Sequence, residues 1–95
     1  MWAACADPTR RAVLAALRDG PRPVGEIAAG LPVTQSAVSQ HLRVLREAGL
    51  VSVRPQGTRR LYQIDLDGLG ELRAWFDRFW DDALTAFAKH AEETR

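Results

Sequence analysis

The side chains of this 95-residue chain that could do chemistry at close range are arginines, serines and glutamines. Gln35, Ser36, Ser39, Gln40 and Arg43 recur along one segment at helical spacing. Arginine can fork onto guanine, glutamine onto adenine, and serine suits a phosphate or either base edge. Arg54, Arg59 and Arg60 stand at the shoulders of a Pro55-Gln56-Gly57-Thr58 turn, where cations can reach a nucleic-acid backbone or the adjacent minor groove. Each residue also has an ordinary reading: a solvated helix face, a helix cap, or charges that protect an edge strand from aggregation.

Catalysis has little to stand on. One cysteine, Cys5, and two histidines set far apart, His41 and His90, offer no nucleophile with its base and orienting group. No glycine-rich phosphate loop is present, and Asp77, Asp81 and Asp82 read as helical neighbours on a solvated flank. An enzyme is not expected. A lone cysteine can form neither an internal disulfide nor a thiolate cluster, so Cys5 reads as a small packing residue in a reducing cytoplasm. His41 lies about 60° from a buried stripe on its helix and reads as half-buried. His90 suits the C-terminal end of a helix dipole.

The net charge of +1 hides a division. Residues 1–64 carry nine arginines against Asp7, Asp19, Glu26 and Glu47, a net +5. Residues 65–95 carry four basic groups against eight acids, a net −4. Such asymmetry points to a polyanion partner for the first part. No stretch approaches the roughly 20 apolar residues of a membrane span, and no basic start with an apolar core marks a signal peptide. The expected home is the cytoplasm, on the nucleoid when bound to DNA.

The elements that must hold these residues can be read from caps and periodicity. Asp7-Pro8 starts a helix running through Thr9 to Arg18, with Val13, Leu14 and Leu17 inward, and Asp19-Gly20-Pro21 stops it. A short helix follows from Val24 to Ala29, with Ile27 inward and Gly30 at its end. Thr34 caps a stronger helix, Gln35 to Ala48, stopped by Gly49. Its buried stripe is Val38, Leu42 and Leu45, and its opposite face carries Ser36, Ser39, Gln40, Arg43 and Glu47. Val51 and Val53, then Arg60, Tyr62 and Ile64, alternate on either side of the turn as a β-hairpin.

A final helix spans about Asp67 to Ala91, a rod of about 35 Å. Leu69, Leu72, Phe76, Phe79, Ala83 and Phe87 recur along it, and Trp75, Trp80 and Leu84 widen the stripe. So broad an apolar arc cannot be hidden against three short helices. A chain of this size also buries only about 60–65% of its unfolded surface, so a second copy is the expected cover. Trp2, Leu72, Trp75, Phe76, Phe79, Trp80, Ala83 and Phe87 are the candidate dimer contacts. A ligand pocket among those aromatics is the alternative.

Helix, helix, helix, β-hairpin and long helix make a mainly α, dimeric winged helix-turn-helix. One domain, 1–95, would contain a DNA-binding core at 7–66 and a dimerisation helix at 67–91. The third helix is wide enough to fill a major groove, and its N-terminal amides can receive a phosphate. A second reading is a winged-helix module for protein contact, with its basic face toward an acidic partner.

Several segments resemble the ArsR-type winged-helix transcriptional repressors of bacteria. They are Ala6-Asp7-Pro8-Thr9-Arg10-Arg11, Val24-Gly25-Glu26-Ile27-Ala28, the run Gln35 to Val51, and Gln56-Gly57-Thr58-Arg59-Arg60-Leu61-Tyr62. Within the third, Ser-x-His-Leu followed by Leu-x-x-Ala-Gly-Leu-Val is very specific to the family. The resemblance covers residues 3 to about 66 well and the last helix in kind. It implies a homodimer joined by its first and last helices, so that dimerisation helices lie at 1–18 and 67–91, repressing transcription from a pseudo-palindromic operator, often its own.

The resemblance is to the non-metal members, whose inducer is variable or absent. Metal-sensing members often carry a cysteine pair where this chain has Glu26-Ile27-Ala28-Ala29-Gly30-Leu31. Others bind zinc on the last helix, and Asp77, His90 and Glu93 repeat three of those ligand spacings. The register is wrong, however: the family's Asp-x-His follows the wing directly, near Leu66 to Leu69 here. The fourth ligand would be Phe79, whereas a structural zinc takes four N, O or S ligands. No metal and no cofactor are expected.

Overall fold

The computed structural model describes residues 2–93. A short 3-10 turn, Trp2–Cys5, leads into α1 (Pro8–Ala15), α2 (Val24–Ala29) and α3 (Gln35–Glu47). The hairpin β1 (Val51–Gln56) and β2 (Arg59–Ile64) follows, and then α4 (Leu66–Glu93). The order expected from the sequence is therefore the order observed, a winged helix-turn-helix.

Local chemistry accounts for most of the boundaries. Asp7 caps α1 by accepting from the N–H groups of Thr9 and Arg10 at 2.8 and 3.1 Å. The Arg10 N–H is the main cause holding this carboxyl below its usual range; partial desolvation opposes it, and the Thr9 N–H and the charges of His41 and Arg10 help. The α-helix ends at Ala15 rather than Arg18. Bonds from Leu17 to Leu14, Arg18 to Ala15 and Gly20 to Leu17 tighten the next turn into a 3-10 pattern, and Gly20 then exits at φ +138°. Leu17 stays buried within that tightened turn. Similarly, α3 closes at Glu47, with Ala48 as its cap and Gly49 at φ +79°.

The hairpin turn is tighter than the four residues expected. Pro55 and Gln56 belong to β1 and pair with Arg60 and Arg59, so only Gly57 and Thr58 turn the chain. Gly57, at φ +62°, supplies the left-handed residue that such a short connection needs. On the far side of β2, Tyr62 and Arg22 exchange both backbone hydrogen bonds at 2.9 Å, so the wing is tied to the entry of α2. That leaves β1 as the outer strand, a place that tolerates Pro55.

Ala4, Val13, Leu17, Ile27, Val38, Leu42, Leu45, Leu50, Val51 and Leu72 form one contiguous core. Leu72 belongs to it, 6% exposed, which corrects its place among the candidate dimer contacts. The reason is where α4 begins. Asp65 donates its N–H to the Leu50 carbonyl, and its carboxylate accepts from the Gly68 N–H. These bonds press the first turn of α4 against the α3–β1 corner and aim Leu72 inward. Every described residue from Arg73 onward is exposed. The free helix gives overall extents of 64 × 27 × 21 Å and a radius of gyration of 17.3 Å, against about 12–13 Å for a compact domain of this length.

Gly68 is buried where α4 crosses Gly49, and a Cβ there would overlap the Gly49 carbonyl oxygen. Gly68→Ala is expected to lower stability by about 2–3 kcal/mol, because backbone on both sides must shift. Urea unfolding at fixed protein concentration measures this. Gly70→Ala is the control, since nothing lies within 4 Å of its added Cβ.

Candidate nucleic-acid interface

The site is built on α3. Thr34, in extended conformation, caps it by accepting the Ala37 N–H on Oγ1 at 3.1 Å. Val38 and Leu42 are fully buried and Leu45 is 1% exposed, so the rotation of the helix about its axis is set. At 100° per residue, Ser36, Ser39, Gln40, Arg43 and Glu47 fall within about 100° of one another on the opposite side. Gln35 flanks this arc, and all six residues are exposed. The structure thus brings Gln35, Ser36, Ser39, Gln40 and Arg43 onto one solvent-facing surface, as expected from their spacing.

The wing arginines do not form one group. Paired residues of an antiparallel ribbon share a face, and successive residues alternate. Since Arg54 pairs with Leu61 and Gln56 with Arg59, Arg54 and Arg59 occupy one face of the hairpin. Arg60, paired with Pro55, occupies the other. All three are exposed.

Two acids pair with arginines of this surface: Glu47, which the sequence already places on the outward face of α3, and Glu26, which it does not. Glu47 accepts from Arg43 Nε at 3.2 Å, and the two side chains are 66% and 80% exposed. Glu26, on α2, lies 3.4 Å from Arg59 Nη2. The first contact was legible in the i,i+4 spacing. The second joins residues 33 apart and had no local signal. Arg54 and Arg60 make no ion pair among the described residues.

The apolar face of α4 covers about half of its cylinder. Trp75 stacks on Phe79 with ring centres 5.5 Å apart and meets Phe76 edge-on at 5.3 Å. Phe79 is 56%, Trp80 63% and Phe87 72% exposed. Ala83 is exposed between them, and the side chain of Trp2 lies outside the described residues. Among the described residues no three His, Cys, Asp or Glu side chains form a group that could hold a metal ion. Asp77 and His90 stand about 20 Å apart along one straight helix, too far to share an ion within one protomer. No helix among the described residues is long and apolar enough to cross a membrane.

A family model described as bacterial regulatory protein, arsR family, matches residues 7–53. The chain is similar to the HTH-type transcriptional regulator Rv2034 of Mycobacterium tuberculosis, with 57% identity over 88 residues, covering 93% of this chain and 82% of that protein. It is similar to the crystal structure of a possible transcriptional regulator for arsenical resistance. There the TM-score is 0.77 and the identity 48%, over 88% of this chain and 91% of the other. A third likeness is to the homodimeric winged helix-turn-helix DNA-binding domain of Mb0332 from Mycobacterium bovis, a possible ArsR-family regulator. Its TM-score is 0.68 and its identity 31%, over 87% of this chain and 77% of the other.

The cap at Thr34 is a point where this surface can be tested without touching it. Thr34→Ala leaves the Ala37 N–H without its side-chain partner, and about 1 kcal/mol of stability should be lost. Hydrogen exchange should show faster exchange confined to the first turn of α3, while the amides of Leu42 to Leu45 keep their protection.

Proposed function

Because the chain belongs to the ArsR family of bacterial regulatory proteins, we propose that it is a homodimeric repressor reading a pseudo-palindromic operator. It is a transcriptional regulator with a DNA-binding helix-turn-helix, and not an enzyme. The observation that carries the finer reading is the face of α3. A helix clamped by three buried side chains turns Ser36, Ser39, Gln40 and Arg43 outward, and these are the types that meet base edges in a major groove. A module kept for protein contact has no need of so polar and so immobile a face.

In this reading Gln40 and Arg43 contact bases, while Gln35, Ser36 and Ser39 meet phosphates or base edges near the helix N-terminus. Arg54, Arg59 and Arg60 contact backbone on either side of a minor groove, which suits arginines on opposite faces of one ribbon. Trp75, Phe76, Phe79, Trp80, Ala83 and Phe87 pack against a second copy, with α1 and the N-terminal turn beside them. Aromatic side chains over half a helix would otherwise leave a large apolar surface in water. The dimer then sets two copies of α3 about one DNA turn, roughly 34 Å, apart. Occupying an operator that overlaps a promoter excludes polymerase, and that is the regulatory act. The setting is the cytoplasm, on the nucleoid when bound, and neither metal nor cofactor takes part.

Selection from a random-sequence duplex library tests this directly and should return two related half-sites. On the selected duplex, Arg43→Ala should cost about 1–3 kcal/mol and relax one base position per half-site. The double variant Arg59→Ala/Arg60→Ala should weaken all duplexes alike and flatten the dependence of affinity on salt. Unchanged affinity, preference and salt slope in these variants would overturn the reading.

The dimer is tested separately. Phe79→Asp with Trp80→Asp places two charges in the apolar face, and light scattering should report a monomer whose footprint shrinks to one half-site. A variant that remains dimeric would place the contact elsewhere.

A further inference from the structure

We infer that Glu47 is a positioning and specificity-determining residue: it orients Arg43 for base readout and keeps the groove beside it from binding phosphate indiscriminately. The inference rests on the reading of Arg43 as a base contact. An exposed ion pair at i,i+4 contributes little to stability on its own, so its significance here depends on which atoms it uses and where it stands.

Arg43 is held through Nε, 3.2 Å from Glu47 Oε1. A guanidinium has five N–H donors, and this contact uses the one nearest the stem. Both terminal nitrogens make no hydrogen bond among the described residues. They remain available as an end-on fork, whose parallel donors match O6 and N7 of guanine. A side-on approach through Nε and one terminal nitrogen is the other geometry by which arginine grips a base or a phosphate, and Glu47 occupies it.

The surroundings add a second observation. An open groove of about 590 Å³ runs between α3 and β1, lined by Arg43, Arg46, Glu47, Val51, Ser52 and Val53. Arg46 makes no ion pair among the described residues. Without Glu47 this groove would hold two arginines and a hydroxyl, a general phosphate trap. Glu47 is the one acid in the lining. Its charge repels a backbone phosphate that enters, and a phosphate approaching Arg43 side-on could bind only by breaking the pair. Guanine meets the end-on fork with the pair intact, so discrimination rises as general affinity falls.

The test compares wild type, Glu47→Ala, Glu47→Gln and Arg43→Ala by selection from a random-sequence duplex library. Binding to poly(dA-dT), which presents no O6/N7 acceptor pair, at about 150 mM salt supplies the non-specific affinity. Glu47→Ala, which removes both the acceptor and the charge, should lower base preference at the Arg43-dependent position by about three- to ten-fold. Preferences at the other positions should persist, and poly(dA-dT) binding should tighten by about two- to five-fold. Glu47→Gln keeps an acceptor for Nε without the charge, so it should tighten poly(dA-dT) binding alike while retaining most of the base preference. Melting temperatures within about 2 °C of wild type would exclude a merely structural effect, as a site this exposed requires. If Glu47→Ala selects the wild-type profile while Arg43→Ala loses one position, this inference falls and the base-contact reading stands. If Arg43→Ala also selects the wild-type profile, both fall together.

Discussion

The molecule depends on one constraint, the rotational setting of α3. Val38, Leu42 and Leu45 are sealed into the core against α1 and α2, and cores packed to crystalline density do not let a helix turn about its axis. Everything on the opposite arc is thereby aimed. Short side chains such as Ser36 and Ser39 can work only from a fixed platform, because they have no reach with which to correct an error. Thr34 at one end and Gly49 at the other hold the platform's length.

A domain of this size cannot supply much burial, and the chain handles the deficit unevenly. Its core closes on the first two turns of α4 and no further. Asp65 and Gly68 hold that junction tightly, with a backbone crossing so close that only glycine fits. Beyond Leu72 the helix leaves the core and displays aromatics over half its circumference. One end of α4 is thus an internal strut and the rest is surface whose area only a second molecule could bury. The charge follows the same division, positive where α3 and the wing lie and negative along α4.

How far the chain could be read locally differs from element to element. Asp7, Thr34, Gly49 and Gly57 each act through bonds or backbone angles within a few residues, and all four were legible. The end of α1 was less so, because a 3-10 turn and an α-turn share nearly the same apolar spacing over one cycle and Leu17 is buried in either. Leu72 repeats at the period of the dimer stripe, and only the depth at which α4 meets the core distinguishes it from Phe76 or Phe79. The faces of the wing arginines follow from alternation alone, since a four-residue turn and the observed two-residue turn give registers two residues apart and both set Arg60 opposite Arg54 and Arg59. The shorter turn changes only the partners, so that Arg54 lies across from Leu61 and Arg59 from Gln56.

By itself the sequence determined the class of the molecule. Periods of 3.6 and 2, with caps at the right offsets, specify three helices, a hairpin and a long helix, and those signals are local because hydrogen bonds to caps and turns are local. It also determined which side chains α3 turns outward, since a buried stripe defines its own opposite. Only the tertiary structure decided which charges meet. Glu26 and Arg59 are brought together by the packing of α2 against the wing, and the groove that holds Arg43, Arg46 and Glu47 exists only because β1 folds back along α3. Electrostatic contact depends on distance in space, and across the gaps between elements sequence separation carries no measure of it.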